Sequence, residues 1–199
     1  MLPLDLIQNI ALLVALAAAS QVIESRWRVH RLTRQLFSGL LFGTVGIVGM
    51  MTPVYFEPGI IFDGRSIILS VAGLFGGPVV AVIAAFMCGV CRLSLGGAGV
   101  VMGLSVIVES AALGVAFHFW RRRMTRPMGL VHLWFFGLLV HGGMLALIVL
   151  LPGGVRQTVL SQLGPAIVGV YPLATILVCW IFLDYEKQRQ DREALEQSE

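Results

Sequence analysis

The sequence predicts an all-α membrane protein: a bundle of five membrane-crossing helices plus a broken re-entrant helical hairpin, six helical segments in all. Three observations predict it. Hydrophobic residues make up 57% of the 199 positions and charged residues 13%, with a mean hydropathy of +0.88, whereas a soluble domain carries roughly 25% charged residues. Apolar runs long enough to cross ~30 Å of hydrocarbon, about 20 residues each, recur along the chain. The arginines gather beside those runs rather than inside them.

The runs are residues 4–23, 36–56, 98–120, 129–151 and 163–183. The first is too long for a signal peptide, and no basic stretch precedes it, Asp5 being its one early charge, so it reads as a retained helix. The remaining apolar stretch, 66–91, is interrupted by Gly76-Gly77-Pro78. Most basic residues fall in three clusters: Arg26, Arg28, Arg31 and Arg34; Arg121, Arg122, Arg123 and Arg126; and Lys187, Arg189 and Arg192. Such clusters belong on the cytoplasmic side. If 66–91 crossed the membrane once, the first two clusters would lie on opposite sides, with eight basic residues inside and six outside. If it enters, turns at the Gly-Gly-Pro and returns, eleven lie inside and three outside.

Length favours the hairpin. The limbs 66–76 and 79–91 would span about 16 Å and about 20 Å as helix, each short of a crossing. Pro78 removes a backbone donor and the glycines allow a tight reversal, which at membrane depth needs surrounding protein or a wet cavity. The fold brings Arg65 and Arg92 to one side, where a straight helix would hold them about 40 Å apart.

A guanidinium beside apolar helices is expensive unless paired or wet, and its planar fork suits a carboxylate. Arg65 and Arg92 are therefore a candidate anion-binding pair. The alternative is that they snorkel to the interface or pair with Asp63, Glu57 or Glu109. Asp63-Gly64-Arg65-Ser66 reads as a helix start with Asp63 or Ser66 as cap. Ser66, Ser94 and Ser105 are candidate hydrogen-bond donors to a small ligand, though a serine can equally bond its own helix backbone. Gly96, Gly97, Gly99 and Gly103 fit close helix packing, with Gly97 also a candidate for ligand contact. Glu109 and His141, mid-helix, are candidate internal counter-ions, paired with each other or with a hairpin arginine.

Other chemistry is excluded or weak. The net charge of +3 arises from helix-flanking arginines, so no nucleic-acid partner is expected. Cys88 and Cys91 have C-x-x-C spacing, but no second cysteine or histidine pair accompanies them, so no metal or cofactor is expected and they read as small helix residues. No nucleophile and base meet the requirements of an enzyme site. After Leu183 the sequence turns abruptly polar, a helix continuing into the cytosol. Ile181, Tyr185, Gln188, Arg192 and Leu195 form a weak heptad seam through which a homodimer could form, a solvated helix being the alternative.

The stretch from Asp63 to Gly103 closely resembles the five-transmembrane receptor region of the LytS-YhcK type, found at the N-terminus of bacterial signalling proteins. That family's hallmark is N-x-R before a Gly-Gly-Pro hairpin, then an arginine followed by Gly-Gly. Arg65 and Arg92 take the arginine positions, and Asp63 stands where asparagine is usual. The resemblance implies a sensor of small carboxylates such as pyruvate, and hence a transmembrane ligand-sensing domain over 1–183 and the start of a signalling helix over 184–199, leading to a missing output module. The lead-in "EALEQSE" looks like the approach to a PAS domain. The expected setting is the bacterial inner membrane, N-terminus outside and C-terminus inside, with the lipid bilayer and a small carboxylate as partners. The rival reading is a substrate-binding membrane subunit of a transporter, since broken half-helices are also a transporter device.

Overall fold

The computed structural model describes residues 30–51, 54–57, 60–125 and 127–196. In chain order the elements are α1 (Arg31–Met51), strands β1 (Val54–Glu57) and β2 (Ile60–Phe62), α2 (Arg65–Val71), a π-helical turn (Ala72–Gly76), α3 (Gly77–Leu95), α4 (Val100–Arg123), α5 (Leu130–Leu147), a 3₁₀ turn (Ile148–Leu150) and α6 (Gly153–Glu196). The predicted span 4–23 lies outside the described residues. The described part is a helical membrane bundle, with five helical stretches long and apolar enough to cross a bilayer. One of them, Arg65–Leu95, contains the predicted break.

Two features depart from the expected boundaries. Helix α1 starts at Arg31 and ends at Met51, ahead of Pro53, which disfavours helix in the residue before it. Residues 54–62 then form a two-stranded antiparallel ribbon, with Val54 opposite Phe62 and Tyr55 opposite Ile61, where the apolar run predicts helix as far as 56. Helix α6 begins at Gly153, ten residues ahead of the predicted span, and runs through Pro165 and Pro172.

The hairpin turns where glycine and proline predict. Gly77 has φ +78°, a backbone region open to glycine. Pro78 follows in the first turn of α3, where its missing donor costs nothing. His118 Nδ1 donates to the Leu74 carbonyl at 2.9 Å, satisfying a group that the turn frees.

Close helix approach holds the limbs in place. A Cβ on Gly114 of α4 would lie 2.3 Å from the Ser70 carbonyl oxygen and 3.0 Å from the Gly73 Cα, so α2 and α4 meet backbone to backbone. On α1, Gly39, Gly43 and Gly46 lie against Ile83, Met87 and Cys88 of α3. Both pairings are the small-residue packing by which helices associate in lipid. Helix α5 packs mainly on α6.

The packing of α4 sets the depth of the hairpin: Gly103 meets its mouth and His118 its tip, a rise of about 22 Å over fifteen residues. Arg121, Arg122 and Arg123 follow at the tip end, where α1 begins with Arg31 and Arg34 and α6 carries Lys187, Arg189 and Arg192. Outward, Val82, Phe86 and Val90 of α3 and Val101 and Val108 of α4 are exposed at helical spacing, an apolar belt suited to lipid.

Candidate functional site

The mouth is built from the end of β2 inward. Asp63 follows β2, and its Oδ1 accepts the Arg65 backbone N–H at 2.8 Å while Oδ2 accepts Arg65 Nη1 at 2.7 Å. One carboxylate thereby holds both the backbone and the side chain of the first residue of α2; the N-cap position itself is Gly64, with no side-chain cap, where the sequence suggested Asp63 or Ser66. Burial pushes the Asp63 carboxyl above the ordinary carboxylate range, against the downward pull of the Arg65 guanidinium, the Arg65 N–H and Arg92.

Arg92 lies in the last turn of α3, where its charge suits the helix terminus, and Nη1 donates to the Gly96 carbonyl at 2.8 Å. The two arginines converge. A Cβ on Gly103 would lie 2.5 Å from Arg92 Nε and 3.2 Å from Arg65 Nη2, so both guanidinium groups rest on the bare backbone of one α4 residue. They are 1% and 6% exposed, respectively. Among the described residues the buried Arg65 Nε has no hydrogen-bond partner.

Beside this pair lies a cleft lined on the polar side by Asp63, Arg65 and Ser66 and on the apolar side chiefly by Phe62, Met102, Val106 and Met144. It is narrow, its free volume of about 10 Å³ being that of a single water-sized sphere. Behind Ser66 stands His141 of α5. Its Nδ1 donates to the Gly137 carbonyl at 2.8 Å, its Nε2 is 3.4 Å from Ser66 Oγ, and its ring meets Tyr171 of α6 edge-on at 5.4 Å between centroids.

Of the residues singled out in the sequence, Asp63, Arg65, Ser66, Arg92 and His141 come together here. Others do not. Ser94 Oγ donates to the Cys91 carbonyl and Ser105 Oγ to the Val101 carbonyl, each hydroxyl being used on its own helix outside the cleft. Gly97 is exposed in the turn after α3, and Gly99 lines the cleft instead.

Among the described residues Glu109 makes no ion pair: its Oε2 accepts the Ser110 hydroxyl, and its buried Oε1 faces Gly143 of α5 with no hydrogen-bond partner there. Ion pairs join Arg65 with Asp63 and Arg121 with Glu186. Glu109 points at α5 rather than at the hairpin, and α5 offers it a glycine. Cys88 and Cys91 are free thiols, Cys88 buried against Gly43 and Gly46. Among the described residues no group of three His, Cys, Asp or Glu side chains is placed to hold a metal ion.

The sequence reading missed the apolar walls and the role of Gly103, whose position in a glycine run signals packing but not what packs on it. It also missed a contact at the far end of the hairpin. Phe75 stacks on Phe182 of α6, and Arg121, paired with Glu186, sits over the Phe75 ring.

The described residues thus form a helical membrane bundle in which a re-entrant hairpin holds a buried arginine pair and the last helix runs on into a polar stretch as far as Glu196. The family model described as the 5TMR of 5TMR-LYT matches residues 17–185, and the chain belongs to that family, a transmembrane sensor region of signalling proteins. No curated protein and no solved structure matches the chain.

Proposed function

We propose that this chain senses a small carboxylate at the hairpin mouth and relays its binding through α6. The observation that carries the reading is the meeting of Arg65 and Arg92 over Gly103. Two like charges held together in a buried corner repel, and an anion between them relieves that repulsion while accepting paired hydrogen bonds from the planar forks. Arg65 Nε beside the cleft, without a hydrogen-bond partner among the described residues, supports the same reading.

Two contacts make α6 a suitable relay. At the mouth, Ser66 reaches Tyr171 through His141. At the tip, Phe75 reaches Phe182. Between them Pro172, packed on Gly137, takes one hydrogen bond out of α6 and leaves it able to bend there. A ligand that favours one of two hairpin packings shifts α6, and a coupling of about 1–3 kcal/mol is the usual scale of such a switch. The arginine-rich end is cytoplasmic in this reading, the mouth opens outward in a bacterial inner membrane, and the 181–195 seam pairs two copies.

A thermal-shift screen of short carboxylates on the purified protein, followed by calorimetry on Arg65→Ala and Arg92→Ala, tests the site. Removing either guanidinium should weaken binding by about ten- to a hundredfold. Undiminished binding in both variants overturns the reading.

A further inference from the structure

We infer that the arginine-rich end of the bundle binds a phospholipid whose headgroup carries a primary ammonium beside its phosphate. Three helices change there from apolar to polar sequence at one level: α4 passes from Trp120 to Arg121, α6 from Leu183 to Asp184, and α5 starts at Leu130. Such a boundary falls among lipid headgroups. At that level a cavity of about 650 Å³ opens between the α4–α5 connection and the first polar turns of α6, lined by Arg121, Leu130, Leu183 and Asp184 among others. Small-molecule sites are usually about 300–1,000 Å³.

The walls divide by polarity. Met128, Leu130 and Leu133 give the cavity an apolar side. On α6, Asp184, Lys187 and Asp191 fall at i, i+3 and i+7, on one helix face, and all three line the cavity, so the sign of the charge alternates along about 10 Å. Gln188 Nε2 donates to Asp184 Oδ2 at 2.8 Å and holds that carboxylate in place. Arg121 is paired with Glu186. Among the described residues the lining therefore carries two positive and three negative charges, with Lys187 standing between two carboxylates.

That charge pattern selects the headgroup. A phosphodiester takes Lys187 as its counter-charge, and a primary ammonium, with three donors, takes the flanking carboxylates. A headgroup with negative charge alone meets Lys187 but leaves Asp184 and Asp191 unanswered, in a lining already negative on balance. A quaternary ammonium matches the charge and donates no hydrogen bond. The rest of the lipid has a place as well. Leu130 lines the cavity, and with Trp134, one turn on, it is exposed on the outside of α5, a surface for an acyl chain. Trp180, 57% exposed, stands at the lip of the cavity, where an indole suits the membrane interface.

Native mass spectrometry of the purified chain in detergent, with phosphatidylethanolamine, phosphatidylcholine and phosphatidylglycerol of one acyl composition, tests this. The ethanolamine lipid should be retained about fivefold more than either of the others, the scale of one partly exposed charged pair. The double variant Asp184→Asn, Asp191→Asn should bring the ethanolamine lipid down to the level of the choline lipid, and Lys187→Gln should weaken both together. All three positions are exposed and polar, so thermal melting of the variants should match that of the parent. Equal retention of the ethanolamine and choline lipids by the parent, a preference for the glycerol lipid, or an ethanolamine preference that survives the double variant overturns the inference.

Discussion

Phe75, at the tip of the hairpin, stacks on Phe182 of α6 with ring centroids 4.9 Å apart, and Phe42 of α1 closes on the same ring at 6.1 Å. The tip therefore meets the last helix just before that helix turns polar. Aromatic pairs contribute about 0.5–1.5 kcal/mol beyond their buried area, which is comparable with the whole coupling energy of a typical two-state relay, about 1–3 kcal/mol.

Removing the ring should separate binding from response. In Phe75→Ala the mouth, about 15 Å away along the limb, keeps its arginines, so carboxylate affinity stays near that of the parent. The ligand-dependent change in hydrogen exchange along 184–196 should shrink several-fold or vanish. An unchanged exchange response would remove the tip from the relay.

Gly103→Ala tests the convergence of the arginines without touching either. The new methyl would lie 2.5 Å from Arg92 Nε, and Arg92 is too enclosed to swing away, so the guanidinium groups must part. Overpacking of this kind costs about 1–3 kcal/mol of stability. Calorimetry should show carboxylate affinity falling as far as in Arg92→Ala, with thermal melting still cooperative.

Gly114→Ala makes the opposite separation. Its methyl would meet the Ser70 carbonyl oxygen at 2.3 Å, a backbone atom that no rotamer change can move. The hairpin limb has to lift off α4, and the melting temperature should fall more than in Gly103→Ala. An equal or smaller fall would mean that the α2–α4 contact is looser than its backbone spacing.

The contrast between these glycines shows how far the sequence could be read. The hairpin was legible because Gly76-Gly77-Pro78 carries its own backbone physics and because the arginine distribution strongly favours one topology. Arg65, Arg92 and Asp63 were legible because charge beside an apolar segment demands an explanation. The stripe of Gly39, Gly43 and Gly46 was not, since a glycine in an apolar helix does not name the partner it admits. Ser94 and Ser105 are ordinary candidates on paper, but a hydroxyl one turn from a helical carbonyl can be taken up locally, as both are. Glu109 misled for a related reason: a mid-helix carboxylate announces a burial problem, while the neighbouring helix decides what faces it.

Asp63 gives the site a dependence on pH whose direction can be worked out. Its carboxylate holds Arg65 Nη1 at 2.7 Å, so an incoming anion competes with it. The charged groups facing it are Arg65 and Arg92, with Cys88 and Tyr171 also within electrostatic reach. Burial raises its pKa, so it takes up a proton at a higher pH than an ordinary aspartate. Protonation removes the competing charge and leaves Arg65 to the ligand, so ligand binding is accompanied by proton uptake. Affinity for a carboxylate that stays ionised should therefore rise as pH falls from neutrality through the raised Asp63 pKa. Asp63→Asn removes the competing charge at every pH, so it should raise affinity at neutral pH and flatten the profile. Measuring the dissociation constant of one carboxylate between pH 5 and pH 8 in both proteins decides the matter. A parent profile as flat as that of Asp63→Asn would show that Asp63 stays charged throughout and that the ligand binds alongside the ion pair rather than in its place.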